Sequence, residues 1–113
     1  MGKLSLSILA QEHLEIALKA SSGRSAHTVY GGHDSHLRQT MIALAGGRIL
    51  DEHESPAEAT IHVLQGRIRL TTGADTRDGA AGDLIIVASS GLQTVEAIEN
   101  SAVLLTVATP QAA

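Results

Sequence analysis

From Ala26 onward the chain is built of short β-prone runs with turn-forming residues between them. The runs are AHTVY, LRQTMIALA, ATIHVLQG, RIRLTTG, DLIIVAS, QTVEAI and AVLLTVA, separated by GGHDS, the glycines at 46 and 47, ESPAE, GADTRDGAAG, SSG and ENS. Runs of this length and spacing predict an all-β sandwich or barrel. The separators are rich in residues that supply positive φ or local side-chain-to-backbone hydrogen bonds. RIRLTTG alternates charged and apolar residues, as a half-buried strand does. LIIV and VLLTV are apolar on both parities, which predicts cover on both faces, from an N-terminal helix or from another subunit.

The segment before these runs has a different period. In SLSILAQEHLEIALKAS, residues 5 to 21, Ala10, Leu14, Ala17 and Leu18 follow the spacing that gathers apolar side chains on one helix face. Ser5 or Ser7 is placed to cap its start, Glu15 and Lys19 form an i,i+4 pair of the favourable order, and Gly23 suits the left-handed turn that ends a helix. The expected organisation is one domain, with a helix and linker over residues 1–25 and a β-barrel over 26–113. A chain of 113 residues supports a single core of that size.

Composition narrows the function classes. No cysteine is present, so disulfides, thiolate metal sites and thiol nucleophiles are excluded, and His, Asp and Glu remain as metal ligands. Residues 1–50 hold five Lys/Arg against three Asp/Glu, whereas residues 51–113 hold three against nine. A polyanion would be repelled by the second half, and Tyr30 is the sole aromatic residue, so no stacking platform for bases can form. Nucleic-acid binding is not expected. No apolar run is long enough for a membrane span, and the N-terminus lacks a continuous signal-peptide core, which leads to the expectation of a cytoplasmic protein with no membrane partner.

One stretch points to chemistry. Gly47 is followed by five residues, then His53, an intervening residue, and a glycine thirteen positions after the histidine, Gly66. Further on, GDLIIVASSGLQ at 82–93 begins with glycine and aspartate and runs through an apolar strand. These two segments resemble the two motifs of the cupin family, and the resemblance covers roughly residues 37–108. It implies a cupin double-stranded β-helix, a jelly-roll sandwich or barrel, here with a short N-terminal α-helix. Gly47, Gly66, Gly73 and Gly82 are then expected at turns or strand ends.

In metal-binding cupins the first motif supplies two histidines and a glutamate, and the second a further histidine. Here His53 stands at the first position, while Ser55, Ala59 and Gln93 stand at the other three. Glu58 is next to the glutamate position, but neighbouring strand residues point to opposite faces, and His62 faces the same objection. The resemblance therefore implies a ligand pocket formed by His53, Ser55, Ala59 and Gln93, with Arg38 or Gln39 contributing from an earlier strand; Gln39 is taken as the pocket member. No cofactor is expected. The alternative is a divalent metal (Zn, Fe or Mn) held by His53 with His33, His36 or Gln93, where Asp34 lies between the two loop histidines.

The remaining marked residues have plainer readings. His53 sits among Asp51, Glu52 and Glu54, and is either a surface histidine held by carboxylates or part of a pocket. His62 reads as a packing or interface residue, His13 as helix surface, His27 as a strand residue, and Arg67 with Arg69 as a solvated stripe. Ser55 has no base and acid in a recognisable order, and a pairing of Glu54 with Glu58 is not placed in a cleft by spacing alone. Two function classes follow. One is a non-catalytic homodimeric module that binds a small molecule or engages a partner. The other is a divergent metal-dependent enzyme of the oxygenase or isomerase class that uses His53, so enzymatic activity is left open.

Overall fold

The computed structural model describes residues 1–55, 58–73, 75–87 and 91–108, and of residues 51–55, 91 and 92 the backbone alone. Helix α1 spans Leu6–Lys19. Among the described residues nine strands follow: β1 Arg24–Tyr30, β2 Leu37–Leu44, β3 Ile49–Ser55, β4 Glu58–Gln65, β5 Arg67–Thr72, β6 Asp75–Ala80, β7 Leu84–Val87, β8 Gly91–Ala97 and β9 Ser101–Ala108. They form a five-stranded sheet in the order β1-β2-β9-β4-β7 and a four-stranded sheet in the order β3-β8-β5-β6. Every strand pair among the described residues is antiparallel.

The period of two sorts each strand into an inner and an outer face. Ile42 and Leu44 of β2, Ala59, Ile61 and Val63 of β4, and Val103 of β9 meet Ile68 and Leu70 of β5 and Val95 and Ala97 of β8 in the core between the sheets. The opposite parity of the five-stranded sheet carries Met41, Ala43 and Ala102, which pack against Ala10, Leu14 and Ala17 of α1. The small residues let the helix approach closely. Leu18 was expected on this buried face but is half exposed. At 100° per residue it lies about 100° around the helix from the line through Leu6, Ala10 and Ala17.

The helix is capped by Ser5, whose hydroxyl accepts from the Ile8 N–H at 3.3 Å. Glu15 accepts from Gln11 at 3.2 Å. Gly23 does take a positive φ, but it does so in the turn leading into β1, three residues beyond the helix C-cap Ala20. His13 stacks on His27 with ring centroids 4.8 Å apart, and its Nδ1 lies 2.9 Å from the Ser25 hydroxyl. The pair ties the helix to β1, a contact the one-element readings of these histidines did not anticipate.

Gly47, Gly66, Gly73 and Gly82 all have positive φ and all lie in turns. Gly66 is the tightest. A Cβ there would collide with the Asn100 carbonyl oxygen and the Ser101 hydroxyl. That hydroxyl is buried and joins the sheets: it accepts from the Arg67 N–H at 3.0 Å and lies 3.0 Å from the Arg67 carbonyl and 2.7 Å from that of Glu99.

Two strands depart from the sequence expectation. GADTRDGAAG, read as a connection, contains β6, and ILDEHES, absent from the expected runs, forms β3. These are the two edges of the four-stranded sheet. Edge strands carry charged residues that discourage pairing with other chains, so apolar periodicity is weak there. The expectation of cover on both faces holds for β9, where Val103 and Leu104 are both buried. It fails within one chain for β7, where Leu84 is 57% and Ile86 72% exposed. Arg69 is also not a free member of a stripe: it makes a two-point ion pair with Asp78 across β5 and β6, at 2.8 and 3.1 Å.

Candidate functional site

The inner faces of the two sheets meet in the core between them. A small apolar cavity of about 10 Å³ lies between them, lined by Ile42, Ile61, Val103 and Leu105 on one side and Leu50 and Val95 on the other. Moving along the inward parity toward the end where β2, β4 and β8 begin, Ile61 is followed by Ala59, Leu105 by Val107, and Val95 by Gln93. Arg38 has the inward parity of Ile42 and Leu44, and register places it beside Val107, which itself lies beside Ala59. On the other sheet Gln93 lies between Thr72 of β5 and the backbone of His53 in β3. The end layer is thus Arg38, Val107 and Ala59 facing Gln93 and Thr72.

Its polar groups are unevenly satisfied. Gln93 is 3% exposed, yet its Nε2 has no hydrogen-bond partner. The Arg38 Nε is buried and also lacks an acceptor, while its Nη2 donates to the His33 carbonyl at 3.2 Å. These are the two buried side-chain polar atoms without partners among the described residues, and both are N–H donors.

Of the residues expected in the pocket, Ala59 and Gln93 are brought to this end. The backbone of His53 is the register partner of Gln93, and that of Ser55 the partner of Gly91. The side chains of His53, Ser55 and Glu54 lie outside the described residues. Gln39 is placed elsewhere. It has the outward parity of Met41 and Ala43, donates to Thr106 at 3.3 Å, and lines an outer groove of about 690 Å³ with Val29, Tyr30, Leu37, Leu104 and the N-terminal residues. Arg38, one residue away, occupies the inward parity instead. The strand itself is legible in the sequence, but the choice of face is not, because Leu37 to Thr40 contains no apolar alternation.

Glu58 is exposed on the outer parity of β4, and His62 shares that parity between Leu104 and Leu84. His33 and His36 are exposed in the loop between β1 and β2. A divalent transition metal needs three or four protein donors in a defined geometry. Ala59 has no donor atom and Gln93 offers a neutral amide, a weak donor for first-row metals. Among the described residues no three His, Asp or Glu side chains lie close enough to hold an ion. The described part of this end does not fit such a metal.

Two facing antiparallel sheets with crossovers between non-consecutive strands place the molecule in the jelly-roll class of β-barrel. Comparison with solved structures narrows the class. A conserved protein of unknown function, SPY1581 from Streptococcus pyogenes, is similar with a TM-score of 0.71 and 26% identity, over 82% of this chain and 80% of that one. A cupin superfamily protein from Desulfitobacterium hafniense matches with a TM-score of 0.70 and 14% identity over 77% and 78% of the two chains. An RmlC-like cupin from Desulfovibrio desulfuricans matches at 0.66 and 21% over 78% and 84%. The fold is that of the cupin β-barrel. Neighbours of the same fold carry names as different as KdgF from a Halomonas species and an HTH_3 family transcriptional regulator from Vibrio cholerae, so fold alone does not assign an activity. No protein-family model and no curated protein matches the chain. Among the described residues, no helix is long and apolar enough to cross a membrane.

Proposed function

We propose that the protein is a non-catalytic cupin module that binds a small molecule at the barrel end where β2, β4 and β8 begin, without a metal. The observation that carries this reading is the pair of inward-facing residues Ala59 and Gln93, a methyl group and a neutral amide at the positions where the family motifs have a glutamate and a histidine. A pocket lined in this way suits binding and orientation more than Lewis-acid chemistry. Elemental analysis of protein purified without a histidine tag tests it. The expected result is far below one equivalent of zinc, iron or manganese. One equivalent of a transition metal, lost on His53→Ala, would instead support the divergent metal-dependent enzyme. The triple change Ser55→His, Ala59→Glu and Gln93→His should introduce tight metal binding, because three donors would join His53 on a retained scaffold.

We also propose a homodimer. The outer face of β7 leaves Leu84 and Ile86 exposed at the edge of the five-stranded sheet, and apolar side chains on an edge strand are a surface that a second copy can cover. Sedimentation equilibrium at micromolar concentration should give twice the monomer mass; a monomer alone would defeat the proposal.

A further inference from the structure

We infer that the ligand of this barrel end is a small carboxylate with a compact apolar body, its carboxylate held between Arg38 on one sheet and Gln93 on the other. The inference rests on the small-molecule reading above and names the chemical class. A buried N–H without an acceptor is destabilising, and folded proteins leave few of them. Here the two such atoms among the described residues, Arg38 Nε and Gln93 Nε2, are both donors, and strand parity and register put both residues at the same end of the sandwich.

Two unanswered donors call for an acceptor, and the fixed charge of a guanidinium calls for a negative one. Among the described residues Arg38 has no carboxylate partner, since the sole ion pair there is Arg69 with Asp78. A guanidinium presents its N–H groups as a planar fork that matches a carboxylate, and such charge-assisted hydrogen bonds are stronger than neutral ones. Gln93 adds a neutral donor from the opposite sheet. On the Arg38 side the described layer is apolar, with Val107 next to Arg38 and Ala59 next to Val107 in register, while Thr72 flanks Gln93. The cavity beneath is about 10 Å³, room for at most about one water molecule, so the ligand body rests on this layer and does not descend into the core.

The test uses ¹⁵N-labelled full-length protein whose metal content has been measured. It is titrated with 3-methylbutanoate and, separately, with the isosteric neutral 3-methylbutanamide, following the Arg38 Nε–H and Gln93 Nε2–H₂ resonances. Saturable shifts of both groups are expected with the carboxylate, and binding at least about tenfold weaker with the amide. Arg38→Met and Gln93→Leu should each weaken carboxylate binding to a similar degree. Gln93→Leu should in addition raise the thermal midpoint of the ligand-free protein, because it removes an amide that has no partner in the empty site. Equal affinity for carboxylate and amide would overturn the inference. So would a Gln93→Leu variant that melts earlier and shifts the Arg38 Nε–H resonance without ligand, since the two groups would then be satisfying each other. No saturable shift in metal-free protein sinks the carboxylate assignment and leaves the small-molecule reading standing, whereas a stoichiometric metal sinks that reading itself.

Discussion

The two sheets solve the same burial problem differently. The five-stranded sheet is covered on its inner face by the other sheet and on part of its outer face by α1, so its central strand β9 is apolar at successive positions. The four-stranded sheet is apolar on its inner face, where β5 runs exposed, buried, exposed, buried, and its outer edge strand β6 begins with four exposed residues. Side-chain pattern therefore reports how many faces of a strand are covered. It does not report whether a strand is there.

The largest losses are expected from hollowing out the packed layers on the two faces of the five-stranded sheet. Ile68, fully buried in β5, touches the shared core, and Met41, fully buried in β2, faces the helix. Ile68→Ala and Met41→Ala should each lose about 2–5 kcal/mol in denaturant unfolding. Near-neutral Met41→Ala would mean that the helix does not cover the outer face. Next in size is the join between the sheets. Ser101→Ala removes the hydroxyl that accepts from the Arg67 N–H and should cost about 1–3 kcal/mol by the same measurement.

Replacing Ile86 with serine sharpens the contrast from the uncovered side. At 72% exposure, Ile86 loses little on folding of a single chain, so the change should leave stability at low protein concentration within about 0.5 kcal/mol of the parent. Sedimentation equilibrium should nevertheless show weaker self-association. The smallest effect belongs to the exposed pair on the four-stranded sheet. The hydrogen bond from Arg69 holds the Asp78 carboxyl below its ordinary value. A carboxylate with a depressed folded pKa stabilises above its unfolded pKa, about 3.9, and that contribution is lost as pH falls through the lower folded value. Asp78→Asn should thus melt slightly earlier than the parent at neutral pH, and the gap should close on acidification below about pH 4; solvent screening keeps it small. A gap that persists or grows in acid would contradict the assignment.

The capped helix, the two-face cover of β9, the glycine turns and the two-sheet class are legible in the sequence, because each rests on local period or local backbone freedom. Gly66 illustrates this: its place after an alternating run already called for a turn, and its positive φ follows from that turn. The sequence also placed Ala59 and Gln93 as candidates through motif spacing. Which polar residues face inward and which strands are edges depends instead on packing and pairing between distant segments. Arg38 and Gln39 are adjacent and both hydrophilic, so no local pattern ranks them; the register of β2 on β9, fixed by Ile42 and Leu44 burying into the core, turns Arg38 inward and Gln39 out. Likewise β3 and β6 are strands because β8 and β5 offer them hydrogen-bonding edges, and a backbone partner elsewhere in the chain is information that a polar segment does not carry in its own side chains.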